Sequence, residues 1–455
     1  MFDSPLPATN GVQRPASFLP KWNDVVAAFQ ASGLKERLLF TIGAVVVYRF
    51  LTQVPIWGVN PVTLKSMASN QLLGFLDLFS GGALSSLSIL ALGISPYITS
   101  SIVMQLLTAI IPRLEQLQKD EGEGGRRKLA QITRYLTVGV ALVQSIVVLK
   151  VFTSMPNLLL PGVEATLFYP LAVLGLVAGS LFAVWLSELI TERGVGNGSS
   201  ILIFIGILAG IPFYAQQTAQ LVDGDPAKSF GLVILLAIYL LTIGLIVFLN
   251  ETHRKVYIVQ AKRQVGNRLY GGHQSYIPFK INPSGVMPII FTYMLLSFPQ
   301  TITDLIMRTH PTGWVFEAVR WYKTTFTPNS PWFLVAELGL IIFFSYFYAT
   351  LVPSLQPKEI ATQLKRSGSV IPGVRLGKET EAHLGGILSK ITLIGAVFLG
   401  LITLVASSAT QLTGIVTLAG LGSTALIIMV GVAMDTMNQI RVHLLVKQYE
   451  GFLKP

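Results

Sequence analysis

The chain has 455 residues, of which 52% are hydrophobic and only 12% are charged, and its mean hydropathy is +0.62. A soluble globular domain carries about 25% charged residues, so this composition excludes such a domain and indicates a polytopic membrane protein. The net charge of +11 does not by itself indicate nucleic-acid binding, because in a membrane chain the distribution of Lys and Arg matters more than the total. Cysteine is absent, which excludes disulfides, thiolate metal sites and cysteine nucleophiles.

The chain begins with a basic segment that has no apolar core followed by a small-residue cleavage pattern, so we expect no removable signal peptide there. We expect residues 1–33 to be a cytosolic extension. A membrane-spanning helix needs about 20 mainly apolar residues. Ten segments meet this requirement and are bounded by charge, Pro or Gly clusters, near 38–56, 87–111, 135–155, 166–190, 200–219, 229–250, 284–307, 332–352, 388–406 and 412–434.

A shorter segment, residues 72–86, lies between the first two spans and reads LLGFLDLFSGGALSS. It is too short to span the bilayer, contains Asp77, and is separated from the next helix by Gly81 and Gly82. A broken helix at membrane depth survives only where protein encloses it or where it lines a watery cavity. The segment therefore predicts a half-helix that re-enters such a cavity, with an interfacial helix outside any cavity as the alternative.

The basic residues predict the orientation of the chain. Segments 113–134, 254–280 and 358–390 are rich in Lys and Arg and alternate with poor ones, so we expect these loops and both termini to face the cytoplasm. Four tryptophans fall on the predicted far side, as interface anchors should: Trp57, Trp314, Trp321 and Trp332.

The sequence offers no enzyme signature. The five histidines lie in loops or tails without metal-ligand spacing, and GVRLGKE at 373–379 departs from a phosphate loop in both spacing and its final residue, so we expect no metal or cofactor. Charges within the spans are few, and Arg49, Lys150 and Glu188 sit toward span ends. An ion-coupled transporter usually places charges near mid-membrane, so coupling has no obvious site.

Uncharged polar residues recur inside the spans instead. Thr99, Gln144 and Asn282 lie in the predicted second, third and seventh spans. Helix packing alone can account for such residues, because small and hydroxylated side chains let membrane helices approach closely.

Seven motifs in order give the chain a family resemblance: FSGGALS, ALGISPYI, EGEGGRRK, ITERGVGNG, AKRQVGNRLYGG, NPSGVMPIIF and IPGVRLGKET. With these motifs the chain resembles the bacterial SecY family, the central subunit of the protein-conducting translocon, over residues 34 to 450. The resemblance implies an all-α fold of ten spans in two pseudo-symmetric halves, 34–219 and 220–434, with a short re-entrant plug helix. It also implies cytosolic loops at 251–283 and 353–387 and a cytosolic tail at 435–455.

The resemblance also implies site residues. A pore ring of bulky aliphatic side chains falls on Ile94, Ile98, Ser199, Ile203, Ile290 and Ile428, where Ser199 departs from the usual aliphatic residue. The plug, residues 72–86, includes Leu72, Phe75, Asp77, Phe79, Gly81 and Gly82. The lateral gate has a polar cluster at Thr99, Gln144 and Asn282. The basic residues that would dock the ribosome or the SecA motor are Lys262, Arg263, Arg268 and Arg375, although orientation alone also explains basic loops.

The function implied is a channel that passes unfolded secretory polypeptides across a bacterial inner membrane and releases transmembrane segments sideways into the lipid bilayer. The implied partners are the small SecE and SecG membrane subunits, the SecA ATPase, the ribosome, and unfolded polypeptides with signal sequences. We expect no chemistry on the substrate. A secondary transporter with broken helices is the main alternative. An intramembrane hydrolase is disfavoured because no nucleophile and base, or set of metal ligands, is evident.

Overall fold

The computed structural model describes residues 34–60, 80–119, 122–153, 158–225, 228–260, 263–265, 268–270, 274–308, 312–327, 330–351, 356–415, 417–418 and 422–453. The described helices are, in chain order, α1 Leu34–Leu51, α2 Ser95–Ile110, α3 Pro112–Lys119, α4 Gly122–Thr153, α5 Ala165–Arg193, α6 Gly198–Gly224, α7 Lys228–Glu251, α8 Met287–Arg308, α9 Trp314–Thr325, α10 Pro331–Leu351, α11 Pro357–Ser367, α12 Lys378–Thr413 and α13 Ser423–Leu453.

Long apolar helices dominate because the bilayer interior offers the backbone no hydrogen-bond partners, and a helix satisfies its own N–H and C=O groups. Seven of the described helices are long and apolar enough to cross a membrane, namely α4 to α7, α10, α12 and α13. The remaining three predicted segments overlap α1, α2 and α8, and α8 carries a shorter apolar stretch, Met287–Ser297. The helical membrane fold is confirmed, and the count of ten spans stays a prediction.

Two helices begin later than the hydropathy pattern predicts. The second predicted span starts near residue 87, but α2 begins at Ser95 because residues 81–94 form turns. The tenth starts near 412, but α12 continues to Thr413 and α13 begins at Ser423. Apolar character reports burial or lipid contact, whereas a helix end depends on local backbone geometry, so hydropathy alone misplaces these boundaries.

The helices pack mainly within two groups, which we call the N-terminal half (α1–α6) and the C-terminal half (α7–α13). In the N-terminal half α5 contacts α1, α4 and α6. It also lies against residues 81–94: a Cβ atom added to Gly179 would stand 2.0 Å from the backbone oxygen of Ile89, so only glycine permits this approach. In the C-terminal half α12 contacts α7, α10, α11 and α13, and α8 packs against α10.

The two halves meet extensively at one place in the described part of the chain, where α6 packs against α7 and α13. We call this the joined side. Neither α2 nor α4 makes an extensive helix-to-helix contact with α8 or α10 across the described residues. We call the boundary between these two helix pairs the seam.

Two small sheets, which the all-helical prediction did not anticipate, lie in the two long predicted cytosolic loops. In the first sheet β1 His253–Gln260 pairs antiparallel with β4 Gln274–Lys280 on one edge and with β5 Ser369–Val370 on the other. The strands β2 Arg263–Val265 and β3 Arg268–Tyr270 form a separate antiparallel pair. The three-stranded sheet therefore joins the loop at 251–283 to the loop at 353–387.

One face of this sheet is apolar and packs against α11 and the start of α12. Val256 and Phe279 from the strands lie in one buried cluster with Leu364, Leu384 and Leu388 from the helices. The other face carries Lys255, Tyr257 and Tyr276, which are exposed. This alternation is the period-2 pattern of a half-buried strand. We call β1, β4, β5, α11 and the first three turns of α12 the cytosolic body, after the side of the membrane that the sequence predicts for these loops.

Candidate functional site

Five isoleucines predicted for the pore ring lie together in the largest buried cluster. Ile94 is 1% exposed and Ile98 8%, Ile203 is 2% exposed, and Ile290 and Ile428 are 6% and 0% exposed. Ile94 immediately precedes α2, and the other four lie in α2, α6, α8 and α13, so both halves contribute side chains to the cluster. None of the five faces lipid, and the cluster sits where the two halves converge.

Ser199, the sixth predicted ring position, lies in the first turn of α6. Asn197 caps this helix, and its Oδ1 accepts hydrogen bonds from the backbone N–H of Ser199 and of Ser200. The Ser199 hydroxyl donates to the same Oδ1 at 2.6 Å. The hydroxyl is therefore satisfied within the helix cap, and Ser199 is half-buried.

Residues 81–94 lead into the pore cluster and are held by contacts with three helices. The Arg49 guanidinium at the end of α1 donates to the Gly81 carbonyl at 2.6 Å, and Ser180 of α5 donates to the Gly93 carbonyl at 3.0 Å. A Cβ atom on Gly81 would stand 2.8 Å from the Cα of Gly206 in α6. Gly81 and Gly82 both adopt positive φ. The predicted plug residues Leu72, Phe75, Asp77 and Phe79 lie outside the described residues.

The predicted lateral-gate residues lie in α2, in α4 and just before α8, and the bonds of two of them run within their own half. The Thr99 hydroxyl in α2 donates to the Ser95 carbonyl at 3.1 Å. The Asn282 amide before α8 donates to the Gly285 carbonyl at 2.9 Å and to Asn250 Oδ1 at 3.3 Å. Asn282 is buried, and Gln144 in α4 is half-buried. Within the described part of the chain, no hydrogen bond joins Thr99 to Asn282.

On the joined side, by contrast, hydrogen bonds do cross between the halves. The backbone N–H of Gly196, in the connection from α5 to α6, donates to Gln439 Oε1 of α13 at 2.9 Å. The hydroxyls of Thr218 in α6 and Thr417 before α13 lie 2.8 Å apart. One bond lies near each end of α6, so that helix is attached to the C-terminal half along its length.

The predicted docking residues belong to the two long loops that the sequence predicts to be cytosolic. Arg375 is exposed in the turn between β5 and α12, where its carbonyl accepts a bond from the Thr380 hydroxyl at 2.7 Å. Arg263 and Arg268 lie in β2 and β3, and Lys262 lies outside the described residues. The structure therefore fixes the backbone beside Arg375 against the cytosolic body.

Sequence reasoning missed two acidic residues inside predicted spans, Asp304 and Glu337. Glu337 of α10 is 4% exposed, and its Oε2 has no hydrogen-bond partner among the described residues. A third acid inside a predicted span, Glu188 of α5, accepts two hydrogen bonds from Arg134 of α4, at 2.7 and 3.0 Å. A count of acidic residues by segment would have found Glu337. No group of three or more metal-ligating side chains occurs among the described residues.

Comparison with known proteins identifies the family. The SecY family model matches residues 88–437, which is more than half of the chain. The chain belongs to the SecY family. The protein translocase subunit SecY of Synechococcus elongatus is 44% identical over 434 residues, covering 93% of this chain and 95% of that protein. The resemblance predicted from the seven motifs is confirmed.

Solved structures show that the SecY fold extends over most of the chain. A structure of a protein-conducting channel has a TM-score of 0.63 at 19% identity and covers 90% of this chain and 92% of that one. Sec61 in a canine ribosome–channel complex from the endoplasmic reticulum has a TM-score of 0.57 at 18% identity, with 90% and 92% covered. The chain is therefore a multi-pass membrane protein with the SecY fold.

Proposed function

We propose that this chain is the protein-conducting channel of a bacterial translocase, which passes unfolded polypeptides through its centre and releases transmembrane segments sideways into lipid. The observation that carries the proposal is that five isoleucines contributed by both halves are buried in one cluster, while extensive helix-to-helix contact between the halves is confined, among the described residues, to the joined side. A transporter would need a substrate and ion site at this depth, and a hydrolase would need a nucleophile and a base there. In this structure aliphatic side chains occupy the position where the two halves converge.

The isoleucine cluster acts as a seal in the resting channel. An apolar constriction excludes water, so an ion meets a barrier there even when the opening is nearly wide enough. Aliphatic side chains also rotate and shift easily, and they have no hydrogen-bond requirement that would select among substrates. A passing chain of any sequence can therefore displace Ile94, Ile98, Ile203, Ile290 and Ile428 without breaking a specific bond, and Ser199 completes the ring on the side of α6.

The seam between α2 and α4 on one side and α8 and α10 on the other is the lateral gate, with Thr99, Gln144 and Asn282 on its two walls. The joined side is the hinge, because its hydrogen bonds hold α6 to the C-terminal half. An apolar signal sequence that enters the seam replaces contacts between helices by contacts of similar energy with itself. Opening therefore costs little at the seam.

Residues 72–86 close the external side of the channel as a plug. Support comes from Gly81 and Gly82 near its end, whose positive φ marks a turn of the backbone there. Residues 81–94 are bonded to α1 and α5, so a displacement of the plug during opening would pivot about Gly81 and Gly82.

The cytosolic body receives the SecA motor or the ribosome, with Arg375, Lys262, Arg263 and Arg268 as the contacting cations. SecE and SecG complete the complex.

Charge reversal in Arg375→Glu should reduce SecA-driven export at least about tenfold, which corresponds to about 1.4 kcal/mol of lost interaction, while the chain still inserts. Lys365→Glu, also exposed but on α11, is the matched control. Equal export by both variants would contradict a role for Arg375 in docking.

The chain resides in the bacterial inner membrane with both termini in the cytoplasm. Support comes from the three basic loops, which face one side under the positive-inside rule. Residues 1–33 form a cytosolic extension, 34–219 and 220–434 the two halves, and 435–455 the cytosolic tail. The loops at 251–283 and 353–387 lie on the same cytosolic side.

Crosslinking to a stalled secretory chain tests the channel proposal directly. A photoreactive residue at Ile98 should crosslink to the stalled chain in membranes, because Ile98 lies in the central cluster. A photoreactive residue at Leu240, which is 70% exposed on α7, should crosslink to lipid and not to the chain. Equal crosslinking from both positions, or none from Ile98, would contradict a central polypeptide pathway.

A further inference from the structure

Helix α9 connects two helices of the proposed gate at the external end of the channel. It reads WVFEAVRWYKTT and lies between the end of α8 and the start of α10. The sequence pattern predicted Trp314 and Trp321 as interface anchors on the far side, but it did not predict how the other side chains of the helix are arranged around them. The structure adds which face each side chain occupies.

The inner face of α9 packs against α8. Val319 is 6% exposed on this face, and α9 and α8 are in extensive contact. Trp314, Ala318 and Trp321 form one line on the opposite face, at spacings of four and three residues, and the exposed carboxylate of Glu317 lies beside this line. Trp314 is 82% exposed and Trp321 63%. A helix with an apolar inner face therefore also exposes two large aromatic rings outward.

Two exposed indoles on one face are unfavourable in bulk water but suit the membrane interface, where an indole buries its ring and keeps its N–H hydrated. Arg320 is exposed beside Trp321 and can reach phosphate oxygens. Trp332, which is 64% exposed at the start of α10, extends the aromatic surface. These residues together match the composition of a helix that lies in the interface plane.

The helix is also attached to α10 by a short chain of hydrogen bonds. The Ser330 hydroxyl donates to the Thr325 carbonyl at 2.7 Å, and the Phe333 backbone N–H donates to the Ser330 hydroxyl oxygen at 3.2 Å. Tyr322 stacks on Phe326 with 5.2 Å between ring centroids, which closes the end of α9. Whatever holds α9 in place therefore also holds α8 and α10.

We propose that α9 lies in the plane of the membrane, at the interface between the outer leaflet and water. Trp314 and Trp321 are inserted among phospholipid headgroups there, and Arg320 is paired with the headgroup phosphates. The outer leaflet then anchors the C-terminal wall of the seam through α8 and α10. The choice of the outer leaflet rests on the proposed orientation, whereas the interfacial position of α9 does not.

The absence of cysteine permits a direct depth measurement. A nitroxide is attached to Ala318→Cys, which keeps both tryptophans, in the complete translocase in nanodiscs of phosphatidylethanolamine and phosphatidylglycerol. Collisions with oxygen and with a water-soluble nickel chelate report its depth. Tyr257→Cys on the exposed face of β1 gives the water reference, and Leu240→Cys on α7 gives the bilayer-core reference.

We expect the label at Ala318→Cys to lie between the two references, with nickel collisions about threefold below those at Tyr257→Cys. Adding Trp314→Ala and Trp321→Ala should raise nickel collisions toward the water reference. Trp185→Ala, which removes a tryptophan that is 54% exposed on α5, should leave them unchanged.

Two results would overturn the proposal. The first is a label at Ala318→Cys that matches the water reference while the tryptophans are present. The second is a label shielded from both oxygen and nickel, which would mean that protein covers α9. Export of a reporter by the same preparation is measured separately, so a failure of the channel proposal is distinguishable from a failure of this one.

Discussion

The joined side and the seam are two boundaries between the same halves, and they are built differently. On the joined side α6 is bonded to the C-terminal half by Gly196 with Gln439 and by Thr218 with Thr417. At the seam the bonds of Thr99 and Asn282 stay within each half. Hydrogen bonds across a boundary fix one geometry, whereas apolar contact leaves the separation adjustable. The difference teaches that the placement of polar bonds, rather than their number, distinguishes the joined side from the side proposed to open.

The largest effect should follow from distorting the joined side. Gly196 has φ +87, and an added Cβ would stand 2.8 Å from Ile201 Cδ1 and 3.2 Å from Thr436 Oγ1. Gly196→Val should therefore lower the free energy of unfolding by about 3 kcal/mol, because a β-branched residue is strained in this conformation and also clashes. Thermal unfolding of the purified complex measures the loss.

Gly139→Val in α4 is the control for this first variant, since no atom lies within 4 Å of an added Cβ there. Equal destabilisation by both variants would show that the joined side has no special sensitivity.

The next effect concerns the isoleucine cluster that lies between the two boundaries. Ile98→Asn places an amide among buried aliphatic side chains, which should draw water into the constriction. We expect ion leak through the resting channel in vesicles to rise about tenfold, as a barrier lowered by about 1.4 kcal/mol implies. Ile98→Leu keeps the site apolar and should leave the leak at the wild-type level. If Ile98→Asn does not raise the ion leak of the resting channel, Ile98 does not belong to the seal.

A smaller effect is expected at the seam. Asn282→Leu removes the bonds to Asn250 and Gly285 that hold the start of α8, each worth about 1 kcal/mol in a membrane protein. These bonds do not cross the seam, but their loss should loosen the start of α8, which forms one wall of the gate, so the gate should open for less hydrophobic signals and secretion of a weak-signal reporter should increase about fivefold. Unaltered secretion of that reporter would refute the role of Asn282.

Asn250, the hydrogen-bond partner of Asn282, allows a second test of the prediction at the seam. Asn250→Leu alone should reproduce part of the increase, and the double variant should show less than the sum of the two, because both remove the same bond. Additive effects would mean that Asn282 acts through a different contact.

The smallest effect should come from Ser199→Ile. The side chain would restore an aliphatic residue to the predicted ring, while Asn197 still caps the backbone N–H groups of α6. Closed-state leak in single-channel recordings should fall about twofold, since five isoleucines already line the site. No change in leak would count against the place of Ser199 in the ring.

The sequence predicted the membrane class, the helical fold and the positions of most spans, because a run of apolar residues long enough to cross a bilayer seldom occurs in a soluble protein. It also predicted which isoleucines to examine, although only through the family motifs. Composition could not distinguish Ile98 in the central cluster from Leu240 on an exposed face, since both read as apolar residues in a span.

Other features depend on contacts between distant residues and left no local signal. The bond from Gly196 to Gln439 joins residues 243 positions apart, and the pairing of Val259 with Val370 links two loops that are separate in sequence. The short β5, at Ser369–Val370, is stable only because β1 is already present beside it. Glu337 differs from these, because its charge is visible in the sequence and was overlooked.

The pairing of β1 with β5 connects three long helices of the C-terminal half through one sheet. The cytosolic body is continuous with α7 through β1, with α8 through β4 and with α12 through the turn at Arg375. If a motor docks on these loops as proposed above, a force that it applies to either loop is transmitted through this sheet to three long helices.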